Sequence, residues 1–194
     1  MRISVKIIFI LCFAGAYAQQ RYVLPTKSEL VQASYQIMLG QLGTTESGYN
    51  RGIMIDDYNR SIGNPLGASY CQAGQYWCYW TACNKLNIPY LYIPMPRNGL
   101  ANSTFDNAKK HGYLTGYTPK LHDFIVWRMP GGYTGHIERI TEVLKAGWVV
   151  TVGFNTSSGV RGSQDNGDGC FKRKRNIKAP LGRKSIRGLV GVIK

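Results

Sequence analysis

Gly63-Asn64-Pro65-Leu66-Gly67-Ala68-Ser69-Tyr70-Cys71, with the apolar run that follows it to Leu86, decides how the rest of the chain is read. A Gly/Pro/Ser loop feeds Cys71 into a segment with helical character, so Cys71 falls at or near a helix N-terminus. Unpaired backbone N–H groups and the positive end of the dipole there favour a thiolate over a thiol. A thiolate attacks carbonyl carbon, and that chemistry needs a base and a group to orient the base.

Around this helix the first half of the chain reads as helical. Thr26 to Gly43 is a helix opened by a Thr26/Glu29 capping box, with Leu30, Ala33, Ile37 and Met38 as its apolar stripe. Arg51 to Ile62 is a shorter one with Ile55, Tyr58 and Ile62 on one face. The Cys71 helix carries Gly74, Gln75, Cys78 and Ala82 along the side of Cys71, while Trp77, Tyr79 and Trp80 supply bulk. Pro89, Pro94 and Pro96 break the middle, and Ser103 to His111 forms a short helix stopped by Gly112.

The period then changes. His122 to Arg128, Ile137 to Leu144, Trp148 to Phe154 and Ile186 to Ile193 are β-branched or aromatic runs bounded by turn residues. Lys145-Ala146-Gly147 suits a hairpin loop. Helices first and strands second indicate an α+β fold, with N-terminal helices packed on one face of an antiparallel β-sheet.

Arg2 and Lys6, the apolar run Ile7 to Ala16 and the small-x-small triplet Ala16-Tyr17-Ala18 form a signal-peptide pattern with cleavage near Ala18. The expected organisation is a signal peptide over 1–18, an N-terminal tail over 19–25, and one folded domain over 26–194 with a basic C-terminal segment. No stretch approaches the ~20 apolar residues of a membrane span. The implied location is secreted or periplasmic.

With 194 residues, 44% hydrophobic and 18% charged, the chain is globular, and its net charge of +14 favours acidic partners. Export argues against nucleic acid and leaves anionic wall polymer as the partner of Lys172-Arg173-Lys174-Arg175 and the basic residues after it. A solvated face that aids solubility is the competing reading. Cys71 and Cys78 on one helix would be ~10 Å apart at 1.5 Å per residue, too far for a bridge. A Cys83–Cys170 pair is open. Cys78, Cys83, Cys170 and His122 match no structural zinc spacing. Asp165-Asn166-Gly167-Asp168-Gly169 lacks the later Glu of a calcium loop and reads as a turn. No cofactor or metal is expected.

Of three histidines, His111 ends a helical pattern and His122 begins a strand. His136 follows the loop Gly131-Gly132-Tyr133-Thr134-Gly135 and opens another strand, where a side chain can face a cleft edge. The next strand ends in Gly153-Phe154-Asn155. Antiparallel pairing across the hairpin makes His136 and Asn155 neighbours at its open end. Triad logic then assigns Cys71 as nucleophile, His136 as base and later acid, and Asn155 as the group that orients the imidazole. The Cys71 backbone N–H is an oxyanion donor. Tyr70 beside Cys71, and Trp127 and Tyr133 near His136, are candidates to line a sugar or peptide groove. Core packing competes for Trp127.

These motifs, in the order Glu46…Asn50-Arg51-Gly52, Gly67-Ala68-Ser69-Tyr70-Cys71, Asp123-Phe124-Ile125-Val126-Trp127, Gly135-His136-Ile137 and Gly153-Phe154-Asn155-Thr156-Ser157, resemble the CHAP domain. CHAP domains are cysteine, histidine-dependent amidohydrolases/peptidases related to NlpC-type cell-wall peptidases. The resemblance implies a papain-like α+β fold, Cys71, His136 and Asn155 at the catalytic positions, and peptidoglycan or a muropeptide as substrate. The bond would be the sugar–peptide amide or one within the stem peptide or crossbridge. Val152-Gly153-Phe154-Asn155 lacks the acidic residue that the family often carries there. That departure sustains the alternative of a non-catalytic, basic wall-binding protein on the same fold.

Overall fold

The structure, a computed structural model, describes residues 20–159 and 167–193. The signal-peptide reading of 1–18 and residues Asp165 and Asn166 of the acidic turn lie outside them. The helices are α1 (Ser28–Leu39), α2 (Ile53–Ile62), α3 (Cys71–Leu86) and α4 (Ala101–His111). The strands are β1 (Arg21–Val23), β2 (Tyr113–Thr115), β3 (Phe124–Arg128), β4 (Gly135–Val143), β5 (Trp148–Thr156), β6 (Gly169–Asn176) and β7 (Ser185–Gly191). They form one sheet in the order β2-β1-β7-β3-β4-β5-β6. The fold is α+β, as expected, and consistent with a papain-like arrangement.

The central helix α3 begins at Cys71 and ends where Asn87 turns left-handed at φ 53° and returns its N–H to Cys83. It is sandwiched between α1 and α2 on one side and β4 and β5 on the other. Gly74 is required for that approach, because a Cβ there would lie 2.2 Å from the Phe154 ring. Gln75 Nε2 donates to the Val152 carbonyl at 3.1 Å, tying the same turn of α3 to β5. Tyr58 of α2 packs edge-on against both Trp77 and Phe154, so the three layers share one aromatic cluster. Alternate residues of β3 serve two cores. Phe124 and Val126 join the helices, while Ile125 and Trp127 pack with Ile140, Val149, Ile177, Leu181 and Leu189. The sheet is therefore covered on both faces.

Several expectations are corrected. The tail expected over 19–25 is, in its described residues, not a tail, because Arg21–Val23 pairs with β2 on one side and, in parallel, with β7 on the other. The sheet is thus mixed. Arg21 is buried and grips Asp123 through Nε at 2.6 Å and Nη2 at 2.8 Å, fastening the N-terminal strand to the entry of β3. No Thr26/Glu29 capping box forms: α1 starts at Ser28, its Lys27 N-cap makes no side-chain bond, and Thr26 Oγ1 donates to the Tyr92 carbonyl. The run Lys172–Arg175 is part of β6, the sheet's edge strand, with Lys172 and Lys174 exposed and Arg173 and Arg175 partly buried. Alternating charge exposure suits an edge that must resist pairing with another chain. Cys71, Cys78, Cys83 and Cys170 are all free. No described helix is long and apolar enough to cross a membrane.

The Gly74–Phe154 approach yields a stability prediction. Gly74→Ala should destabilise the domain by about 1–3 kcal/mol, the usual cost of overpacking a filled core. Denaturant unfolding checks it, and an unchanged midpoint would show that α3 and β5 are not in this contact.

Candidate active site

Cys71 is the first residue of α3 and only 5% exposed. Tyr70 precedes it with non-helical backbone and caps nothing through its side chain, so the first-turn N–H groups are not consumed by a capping side chain. Tyr70 is itself fully buried. Its hydroxyl donates to Glu46 Oε1 at 3.1 Å. The other Glu46 oxygen accepts the Asn50 backbone N–H at 2.9 Å, and Asn50 Nδ2 reaches the Gly67 carbonyl at 3.1 Å. The loop that delivers the cysteine is thereby pinned from both ends.

His136 opens β4 after the glycine-rich loop, whose Tyr133 and Thr134 carbonyls accept from the buried Asn102 of α4 at 2.6 and 3.1 Å. Gly135 allows β4 to begin here, since a Cβ would meet the Trp127 carbonyl oxygen at 2.0 Å. The imidazole is hydrogen-bonded to Glu138, and Cys71 lies close enough to help raise its pKa. Its Nε2 lies 3.0 Å from Glu138 Oε1. An ionised carboxylate only accepts, so Nε2 carries the hydrogen and Nδ1 is left for the sulfur.

Glu138 was not singled out from the sequence. It lies two residues after His136, hence on the same side of β4. It is fully buried and also accepts from Arg175 Nε (2.9 Å) and Nη2 (2.6 Å), Thr151 Oγ1 (2.6 Å) and Thr156 Oγ1 (3.1 Å). In the ladder it stands opposite Gly153. A Cβ on Gly153 would come within 2.8 Å of Glu138 Cγ and Oε1, so the missing side chain is the space the carboxylate fills.

Asn155 lies near this group without hydrogen-bonding the imidazole. Its backbone is left-handed at φ 49°, the β5–β6 register slips between Gly153 and Thr156, and Nδ2 donates to Asn50 Oδ1 at 2.6 Å. The hydrogen bond expected from Asn155 to His136 is made by Glu138. Of the groove candidates, Tyr70 and Trp127 are buried and offer no surface to a ligand, since one is locked in the Glu46 loop and the other is core. The Trp127 ring sits 5.9 Å from the His136 ring as its wall. Tyr133 is 45% exposed and donates to Asp106 Oδ2 at 2.6 Å. His122, the other strand histidine, is buried against Tyr35, and burial pulls its pKa down to about 4, with Arg139 adding to the effect.

Charge explains the His136–Glu138 pair. Burial opposes the imidazolium, but hydrogen bonds and attraction to Cys71 and Glu138 outweigh it and lift the His136 pKa to about 9. Burial likewise opposes the Glu138 carboxylate, and Arg175 with His136 holds it well below the usual range. The linkage signs are opposite. The His136 contribution to stability is complete below its ordinary value of about 6.5 and is lost as pH rises through 9. The Glu138 contribution is present above about 4.5 and is lost as pH falls. A cavity of about 360 Å³ lies elsewhere, between Trp77, Trp80, Arg60 and Arg97, and includes none of these groups.

Residues 65–155, the stretch that holds Cys71, His136, Glu138 and Asn155, match the CHAP domain. CHAP domains are generally cysteine- and histidine-dependent amidohydrolases of peptidoglycan-type substrates. No curated protein and no solved structure matches the chain.

A titration follows from the pair. The His136 Cε1–H resonance should titrate near pH 9. In Glu138→Gln, where burial loses its main carboxylate opponent, its pKa should fall by more than one unit. An unshifted histidine in that variant would contradict the pairing.

Proposed function

We propose that this chain is an exported cysteine hydrolase that cleaves amide bonds of peptidoglycan, as an N-acetylmuramoyl-L-alanine amidase or an endopeptidase. The observation that carries the reading is a cysteine on the first turn of a buried helix, close to a histidine whose ring nitrogen is held by a buried carboxylate. Cys71 Sγ, its proton already held on His136 Nδ1, attacks the amide carbonyl. Glu138 stabilises the imidazolium and fixes the tautomer. The tetrahedral oxyanion forms beside the Cys71 backbone N–H. His136 protonates the departing amine, leaving an acyl-enzyme thioester. Water, deprotonated by His136, then releases the acid and the thiol.

Asn155 acts at one remove in this scheme. Through Asn50 it supports the loop behind the nucleophile. Tyr133, exposed on the loop before His136, is the groove residue that can meet substrate. Export rests on the signal-peptide pattern of residues 1–18, with the mature chain entering the sheet from Arg21. The alternative of a non-catalytic wall binder drew on the missing acid near Asn155, and Glu138 fills that chemical place from the neighbouring strand. Lys172 and Lys174 on the exposed side of β6 support contact with anionic wall polymer alongside catalysis.

Purified sacculi test the reading. Cys71→Ala should abolish lysis with the fold intact, and Glu138→Gln should lower turnover on the order of 10⁴-fold, as when a triad orienter is neutralised. Mass spectrometry of the released fragments names the bond through its new amino or carboxyl ends. Lysis by Cys71→Ala at the parental rate would overturn the assignment.

A further inference from the structure

Asn102 and Thr104 lie on the first turn of α4, and both side chains are fully buried. Each holds the chain beside a reacting group. Gln72, which follows Cys71 on α3, donates through Nε2 to Thr104 Oγ1 at 2.8 Å, and Thr104 Oγ1 donates back to Gln72 Oε1 at 3.0 Å. Asn102 Nδ2 donates to the Tyr133 and Thr134 carbonyls, at 2.6 and 3.1 Å, just ahead of His136.

A two-residue step turns the side-chain direction by about 200° around a helix. The two side chains therefore leave α4 in nearly opposite directions, one to α3 and one to the loop before β4. The helix is itself fixed to the sheet. Arg187 of β7 donates to Asn102 Oδ1 at 2.9 Å and grips Asp106 through both terminal nitrogens. Phe105 fills the space over Gly188, where a Cβ would stand 2.4 Å from its ring. Apolar residues could fill the positions of Asn102 and Thr104, but a carboxamide and a hydroxyl with their partners in place admit one arrangement.

We propose that α4 is the brace that sets the separation of Cys71 from His136, with Thr104 and Asn102 as positioning residues that act through Gln72 and through the Tyr133 and Thr134 carbonyls. This rests on the hydrolase reading of Cys71 and His136. The nucleophile belongs to the helical layer and the base to the sheet, and α4 joins the two through these side chains. Loosening either end lets sulfur and imidazole drift apart, and a misplacement of about 1 Å can cost turnover on the order of 10²-fold.

The test compares the full chain with Thr104→Val, which removes the hydroxyl at nearly constant shape, Thr104→Ser, which keeps it, Asn102→Leu, and the double variant Asn102→Leu/Thr104→Val. Iodoacetamide modification of Cys71 near neutral pH and the NMR titration of His136 are both read well below each unfolding midpoint. Thr104→Val should slow modification on the order of tenfold, because a thiol released from the imidazole is mostly protonated near pH 7. It should also move the His136 pKa down from about 9, because Cys71 helps to raise it. Thr104→Ser should match the parent in both. Asn102→Leu should resemble Thr104→Val, and the double variant should be slower than the worse single by no more than about twofold, since one released end already frees the spacing. Losses that multiply in the double variant, parental behaviour of Thr104→Val, or equal losses in the Val and Ser variants would overturn the brace. Should Asn102→Leu not fold, the two Thr104 variants decide alone. Neither readout needs hydrolysis, so a parent chain that leaves sacculi intact counts against the hydrolase reading and not against the brace.

Discussion

A carboxylate sealed inside the sheet is the constraint around which the rest of this domain is arranged. Taking Glu138 out of water costs several kcal/mol unless its oxygens are filled with donors. His136, Arg175, Thr151 and Thr156 fill them. Those donors come from β4, β5 and β6, so the register of three strands is committed to one side chain. Gly153 has to lack a Cβ to leave room for it. The edge strand is recruited inward by one guanidinium while its lysines face solvent.

The proposed nucleophile is set by a different device. Cys71 is carried by the helix at the centre of the molecule, whose approach to β5 depends on a glycine opposite Phe154. The loop in front of it is held by Glu46, Asn50, Tyr70 and Asn155 in one hydrogen-bonded chain. Sulfur and imidazole thus meet between two rigid supports, one helical and one made of sheet. Held groups of this kind reduce the reorganisation that the reaction would otherwise demand.

Much of this was legible in the sequence, for physical reasons. The helical segments announced themselves through apolar spacing, and β3, β4, β5 and β7 through β-branched and aromatic runs. Cys71 and His136 stood out because a loop-to-helix and a loop-to-strand junction present reactive groups. Glu138 was hidden in plain alternation: His136-Ile137-Glu138 on a strand puts the two polar residues on one side, and Gly153 stands opposite. That signal was available in the spacing, but hairpin geometry pointed to Asn155 instead. The left-handed turn at Asn155, which redirects its amide to Asn50, has no signature in composition. β6 was hidden because its inward arginines and outward lysines read as one charge run. β1 was hidden because three residues carry too little pattern, and its anchor, Arg21 on Asp123, spans distant parts of the chain.

The central claim is that Cys71 alone among the cysteines is an activated nucleophile. The most direct measurement is the rate of iodoacetamide modification near neutral pH, followed by intact mass and peptide mapping. The account predicts one fast adduct, at Cys71, formed well ahead of free cysteine and slowed in Glu138→Gln, with Cys78, Cys83 and Cys170 protected by burial. Modification of Cys71 no faster than free cysteine, and indifferent to Glu138, would contradict it.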